Sequence, residues 1–178
     1  LYDSMAPGVD RAMLGESLVE AWSRYEPEKA GDWILQNVTD PMEQSRTISR
    51  LMTAWGYDRP EQAIEWLSQL PSPEIRRTER GRVVQTWAQD DLMGAASYVS
   101  QFPPSTQMDP SIQSIALSYS KFDGPTAISW AQSITDLKLR QRTIQQVARE
   151  WMAYDPIAAR PYITTVKAPK IPRSQRGR

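Results

Sequence analysis

The sequence predicts an all-α protein made of about five helix–turn–helix repeats, or about ten helices. Three observations indicate this fold: aromatic residues recur about every 32 residues, apolar residues between them follow helical spacing, and prolines beside acidic residues mark the breaks. Self-similarity with a fixed period of roughly 20 to 50 residues is typical of stacked repeats. No segment alternates with period two over a useful length, so we expect no strands.

Two aromatic columns carry the strongest signal. Ten equivalent positions hold all seven tryptophans and three tyrosines, with the second column eleven residues after the first. The first column is Trp22, Trp55, Trp87, Tyr119 and Trp151, and the second is Trp33, Trp66, Tyr98, Trp130 and Tyr162. A core needs the same residue type in every repeat, whereas a binding site needs variety. We therefore interpret these ten residues as the structural core of the repeats rather than as a ligand-stacking surface.

The first helix of each repeat, helix A, ends near the first aromatic column. Apolar residues approach that column at helical spacing, as Ile48, Leu51 and Met52 do before Trp55. We expect the first helix A at roughly residues 10–24. The fourth helix A should be shorter and follow a longer loop, because its prolines come late. These prolines are Pro103, Pro104 and Pro110.

Helix B follows each helix A after a short break that contains an acidic residue and often a proline. The breaks include Glu26-Pro27, Asp58-Arg59-Pro60, Asp123-Gly124-Pro125 and Asp155-Pro156. An acidic N-cap and a proline in the first turn suit a helix start, because the first amides have no partner within the helix. Asp40 with Glu43 resembles a capping box. We expect the last helix B at roughly residues 155–165.

Two smaller columns support the same register. An alanine column lies three residues before the second aromatic column and on the same face of helix B. It contains Ala30, Ala63, Ala95, Ala127 and Ala159. The other column lies at the end of helix B and contains Val38, Leu70, Phe102, Ile134 and Val166. Short loops between successive helices predict antiparallel neighbours.

Composition removes several function classes. The chain has no cysteine and no histidine, so we expect no disulfide, no metal site, no cofactor and no catalytic residue of the commonest kind. The acidic pair Asp90-Asp91 is adequately explained by helix capping. Lysines and arginines number 21, as do aspartates and glutamates, so no global field favours nucleic acid. We expect no transmembrane segment and a soluble protein of the cytoplasm or periplasm, with the compartment left open.

The two-helix unit, with its aromatic, alanine and proline positions, resembles the tetratricopeptide and Sel1-like repeat superfamily. Helix B carries the similarity best in Ala63-Ile64-Glu65-Trp66-Leu67 and in Ala127-Ile128-Ser129-Trp130-Ala131. The resemblance spans residues 10–166, although the period is shorter and the usual glycine pair of helix A is missing. It implies a right-handed α-α superhelix that binds proteins, and it carries no catalytic residue across.

We therefore expect partner-binding residues at positions where the repeats differ from one another. In the resembling stacks, helix A lines the concave groove, and here helix A is rich in arginine. The candidate partner-binding residues are Arg46, Arg50, Arg76, Arg80, Arg82, Arg140 and Arg142. Guanidinium groups could bind carboxylates or phosphates of a partner. The alternative, which we weigh more heavily, is a solvated helix face with local ion pairs of little consequence.

The domain prediction is a helical-repeat domain at 1–166 and a basic, proline-containing tail or linker at 167–178. The tail carries five of the positive charges and no acid. We expect a non-catalytic scaffold, of bacterial origin by its resemblance, that binds a protein or peptide of unknown identity. The alternatives are an accessory helical region of a larger enzyme, possibly one acting on cell walls, and, with less support, a helical-repeat RNA binder.

Overall fold

The computed structural model describes residues 19–163 together with positions 15 and 17. Over this part of the chain the fold is all-α, and no strand occurs in it. Residues 19–23 are helical and precede the first complete helix. The helices that follow are α1 (Pro27–Asn37), α2 (Pro41–Asp58), α3 (Pro60–Ser68), α4 (Pro73–Asp90), α5 (Leu92–Ser100), α6 (Asp109–Tyr119), α7 (Gly124–Gln132), α8 (Leu137–Trp151), α9 (Pro156–Ala159) and a 3₁₀ turn (Arg160–Tyr162).

The helices alternate between the predicted A and B roles. Helices α2, α4, α6 and α8 are the A helices, and each contacts the next one in the series. The B helices α3, α5 and α7 each contact the A helix before them and the A helix after them. The A helices therefore form a continuous row, with the shorter B helices packed against it.

Helix starts follow the expected chemistry in most places. The Asp40 carboxylate accepts a hydrogen bond from the Glu43 backbone N–H at 2.8 Å, as a capping box requires. Asp91, Asp123 and Asp155 cap α5, α7 and α9 in the same way. Glu26 stands at the N-cap of α1, as expected, but its side chain makes no cap hydrogen bond. The expected cap of α3 is wrong, because Arg59 rather than Asp58 stands at the N-cap.

The third junction is irregular, as predicted. Helix α6 begins only at Asp109 and has 11 residues, whereas α4 has 18. Proline has no backbone N–H and is tolerated only in the first turn of a helix, so Pro110 favours the late start at Asp109. The loop between α5 and α6 is longer in consequence.

The last helix B is shorter than the expected 155–165, because α9 ends at Ala159 and passes into the 3₁₀ turn. Pro161 explains the change, since it removes an amide donor from the next helical turn. The start of the first helix A and the tail at 167–178 lie outside the described residues.

The aromatic columns lie between the helices. All ten residues are buried or half-buried, and the two columns meet within a repeat. Ring centroids are 5.9 Å apart for Trp55 and Trp66 and 5.6 Å apart for Trp87 and Tyr98, distances typical of favourable aromatic pairs. The alanine column is fully buried at all five positions. At Gly31 a Cβ atom would lie 2.4 Å from the Trp66 ring, so only glycine permits this packing.

Candidate functional site

Two of the predicted groove arginines are bound to helix ends instead. Arg76 donates from Nη1 to the carbonyl oxygen of Leu70, and Arg140 donates from Nε to that of Ile134 at 2.6 Å. Gln44 occupies the same repeat position one repeat before Arg76, and its side chain donates to the Val38 carbonyl at 2.8 Å. These side chains satisfy carbonyl groups at the ends of B helices, which have no partner within the helix.

Arg80 and Arg82 also interact within the protein. Arg82 donates from Nε to Glu79 Oε2 at 3.0 Å, and the buried Glu79 carboxylate also accepts from the Ser49 hydroxyl at 2.7 Å. Arg80 is half-buried, with Nη1 3.7 Å from the Met108 sulfur and with a buried Nε that has no hydrogen-bond partner. A polar cluster of Ser49, Glu79 and Arg82 therefore lies between α2 and α4 and joins the second repeat to the third.

The other three predicted arginines are exposed. Arg46 lies on the exposed surface of α2. Arg50 lines a cleft of about 420 Å³ between residues 19–23 and α2. Arg142 lines a larger cleft of about 740 Å³ on the C-terminal side of α8. The seven arginines are thus spread over several environments, and the structure does not bring them together in one groove.

A polar cleft that the arginine pattern does not reveal lies over three successive A helices. It has a volume of about 330 Å³, and we call it the amide cleft because glutamines dominate its lining. It is lined by Gln85 and Gln89 of α4, by Gln113, Ser114, Leu117, Ser118 and Lys121 on and just after α6, and by Gln146 and Glu150 of α8. The four glutamines of the lining occupy different positions of the repeat, so the sequence pattern offered no signal for this cleft.

A second cleft continues the amide cleft toward the tip of the α6–α7 hairpin. Its volume is about 370 Å³, and it shares Gln89, Ser118 and Lys121 with the amide cleft. Its other lining includes Leu92 and the ring of Phe122, which is 62% exposed. Polar amides, the Lys121 ammonium group, the Asp90 and Glu150 carboxylates and a partly apolar pocket therefore lie along one continuous surface.

A buried carboxylate fixes the helices beside this surface. Asp109 is fully buried, and its Oδ1 accepts a hydrogen bond from the Thr135 backbone N–H at 2.7 Å. Its Oδ2 accepts from the Thr135 hydroxyl and from the Asp136 backbone N–H, both at 2.9 Å. Asp109 thereby joins the start of α6 to the loop before α8.

The pKa values of Asp136, Glu26 and Tyr98 are shifted by groups close to them in the fold. The Leu139 backbone N–H holds the pKa of Asp136 below its ordinary value, mainly by donating to the carboxylate. The Lys29 ammonium and the Trp22 indole, which donate to Glu26, lower the pKa of that carboxyl. Burial raises the pKa of Tyr98. These groups lie at helix starts and within the packing, away from the amide cleft.

Helix capping explains Asp91, one residue of the acidic pair. Asp91 Oδ1 accepts a hydrogen bond from the Gly94 N–H at 2.8 Å, and Asp90 is the last residue of α4. Among residues 19–163, no group of aspartates and glutamates is arranged to hold a metal ion. In the same part of the chain, every helix is too short or too polar to span a bilayer.

The comparisons with known proteins give no relative to guide the assignment. No protein-family model, no curated protein and no solved structure matches the chain.

Proposed function

We propose that the protein is a non-catalytic binding module that holds an extended peptide along the amide cleft. In this proposal the repeats stack as a right-handed α-α superhelix, and the row of A helices forms its concave side. The observation that carries the proposal is the continuous surface formed by the amide cleft and the adjoining apolar pocket.

Glutamine side chains suit the backbone of an extended peptide. Each residue of such a peptide other than proline presents one N–H donor and one carbonyl acceptor. A primary amide offers both partners on one group, so it can bind a backbone unit of any sequence. Gln85 and Gln89 on α4 are exposed, as is Gln146 on α8. Their positions on opposite sides of α6 would let them bind a peptide that crosses the row of helices.

The rest of the lining defines the side chains that would be preferred. Lys121 is exposed and lies where the two clefts meet, so it favours an acidic residue in the ligand. Asp90 and Glu150, at the two ends of the combined lining, disfavour further acidic residues beside it. Leu92 and Phe122 favour an apolar residue next to it. The proposed ligand is therefore an extended segment in which an acidic residue neighbours an aliphatic or aromatic one.

Selection from a displayed library of random peptides tests the proposal directly. We expect enriched peptides to share the acidic–apolar pair and to bind the purified protein by calorimetry. The triple variant Gln85→Ala, Gln113→Ala and Gln146→Ala should weaken that binding by at least tenfold, about 1.4 kcal/mol. The matched control replaces the exposed glutamines Gln36, Gln101 and Gln132, which lie away from the cleft, and should bind as the wild type does.

A charge reversal gives an independent readout. Lys121→Glu should remove the preference for acidic peptides, whereas Lys138→Glu, at the exposed start of α8, should leave it unchanged. Circular dichroism and thermal melting establish that each variant is folded. A library that yields no peptide, or a cleft variant that binds as tightly as its control, would contradict the proposal.

A further inference from the structure

A third cleft, with a volume of about 480 Å³, lies between the start of α1 and one side of α3. We call it the indole cleft, because Trp55 of α2 and Trp66 of α3 both line it. Gln62, Glu65 and Gln69 follow one another along its α3 wall at helical spacing. It shares no lining residue with the amide cleft.

One repeat position in this lining changes from an acid to a base. The residue four positions after the first aromatic column is acidic in four of the five repeats, but in the second repeat it is Arg59. In the last three repeats the acidic side chain accepts a hydrogen bond from a backbone N–H in the first turn of helix B. Arginine has no acceptor, and α3 accordingly begins without a side-chain cap. The four acidic residues are Glu26, Asp91, Asp123 and Asp155.

The same change leaves the Trp55 indole without an acceptor. In the first repeat, Trp22 Nε1 donates to Glu26 Oε2 at 3.2 Å. Trp55 is the equivalent tryptophan, and the equivalent of Glu26 is Arg59, which lines the cleft with it. Trp55 is only 3% exposed, and its buried Nε1 has no hydrogen-bond partner. A buried donor of this kind is costly unless an acceptor reaches it, so the cleft favours a ligand that carries one.

The cations of the lining can receive a negatively charged acceptor. Arg59 pairs through Nε with Asp58 at 2.9 Å, and its guanidinium group has further N–H donors. Lys29 pairs with Glu26 at 2.5 Å, so these two charges offset each other. A carboxylate placed at the start of α3 would therefore meet the Arg59 guanidinium, the Trp55 indole and the amides of an uncapped helix.

Two acidic residues of the lining call for a cation elsewhere in the same ligand. Glu28 of α1 and Glu65 of α3 form no ion pair within the described part of the chain. Glu65 comes three residues after Gln62, which places it about 4.5 Å farther along the helix axis. A ligand with a carboxylate at the start of α3 and an ammonium group toward Glu65 would satisfy both ends of the cleft.

We propose that the indole cleft binds a free α-amino acid. The ligand carboxylate accepts from Trp55 Nε1 and from the Gln62 backbone N–H, and it pairs with Arg59, so it takes the role that an acidic side chain has in the other repeats. The ligand ammonium group lies toward Glu28 and Glu65. The volume suits a small molecule, since such sites measure about 300 to 1,000 Å³. This proposal does not rest on peptide binding at the amide cleft.

The indole N–H resonances of the ¹⁵N-labelled full chain test the proposal. Glycine is the probe, because it carries the carboxylate and the ammonium group alone. Glycinamide lacks the carboxylate, and N-acetylglycine lacks the ammonium group and represents the C-terminus of a peptide. We expect glycine to shift the Trp55 resonance saturably and N-acetylglycine to bind several-fold more weakly, with no shift from glycinamide. The Trp22 resonance is the internal control and should not move, since that indole is bonded to Glu26.

Each other outcome of the titration would overturn the proposal. A Trp55 resonance that glycine does not move would show that the indole accepts no carboxylate. A shift by glycinamide equal to that by glycine would show that the carboxylate is not recognised. Tighter binding of N-acetylglycine than of glycine would assign the cleft to the C-terminus of a peptide instead.

Arg59→Asp supplies a second readout, because it restores the acid of the other repeats. The new carboxylate should cap α3 and accept from Trp55, raising Tm by about 2 to 4 °C. It should also weaken glycine binding at least tenfold, because it occupies the place of the ligand carboxylate. Arg24→Asp makes the same charge change at an exposed position outside the lining and should alter neither quantity. An Arg59→Asp variant that binds glycine as the wild type does, or that melts no higher, would refute the proposed site.

Discussion

The side chain of Asp109 holds Thr135 by two hydrogen bonds, from the backbone N–H at 2.7 Å and from the hydroxyl at 2.9 Å. The carboxylate is fully buried at the start of α6, where the array is least regular. It is placed between two repeats and sets the position at which α8 begins.

Replacing Asp109 with alanine should destabilise the protein. The backbone amides of Thr135 and Asp136 would lose their acceptor, and we expect the free energy of unfolding to fall by about 3 kcal/mol. Urea denaturation measures the change. Asp90→Ala removes an exposed aspartate and should change stability by less than about 0.5 kcal/mol. Equal effects of the two substitutions would show that the buried hydrogen bonds do not stabilise the junction.

Arg76 and Arg140 should act as helix caps and not as partner-binding residues. Each alanine substitution leaves a carbonyl at the end of a B helix without its donor and should cost about 1 kcal/mol. The effects should add in the double variant, because the two sites share no contacts. Arg46→Ala and Arg142→Ala, at exposed positions, should leave the denaturation midpoint unchanged. A wild-type midpoint for the double variant would refute the capping role.

Arg80→Ile should stabilise the protein. Arg80 occupies the helix position that holds isoleucine in three of the other repeats, at Ile48, Ile112 and Ile144, and its buried Nε has no hydrogen-bond partner. Restoring isoleucine should raise the free energy of unfolding by about 1 kcal/mol. Arg82→Ile should lower it instead, because the buried Glu79 would lose its cation. A lower Tm for Arg80→Ile would contradict this prediction and would show that the guanidinium group stabilises the fold.

Asp136 should contribute to stability in a pH-dependent way. Its pKa is lowered in the folded protein, chiefly by the Leu139 N–H, so its carboxylate stabilises the fold above the unfolded-state pKa of about 3.9. The contribution is lost as the pH falls through the lower folded-state value. Asp136→Asn should therefore be less stable than the wild type near neutral pH, and the difference should vanish in strong acid. A pH-independent difference between their denaturation midpoints would contradict this assignment.

The sequence predicted the helical class, the A and B alternation and the irregular third junction, because each depends on local chemistry. Proline positions and apolar spacing act within a few residues. Pro110, for example, is tolerated only in the first turn of α6, whatever lies around it. The full superhelical arrangement remains part of the proposal.

The candidate site was less accessible to sequence reasoning, because it depends on which faces of separate helices meet. Arg76 and Arg140 were grouped with the groove arginines, although their recurrence with Gln44 at one repeat position already favoured a structural role. The buried contact of Asp109 with Thr135 could not be anticipated, since it joins residues that are 26 positions apart. The amide cleft likewise combines side chains from three helices.

The hydrogen bonds between neighbouring repeats join residues at similar sequence separations, and this affects the cooperativity of folding. Ser49 is 30 residues from Glu79, Ser114 is 33 from Gly81, and Tyr154 is 34 from Ser120. Each of these described hydrogen bonds closes a loop about one repeat long, so the entropy of closing the chain is nearly the same at every step. In the proposed stack of repeats, folding would start at any adjacent pair of repeats and spread in both directions, as in a one-dimensional lattice with nearest-neighbour coupling. In such a lattice the short α6 is the natural boundary between two cooperative blocks, and the strength of the Asp109 junction determines whether they unfold together.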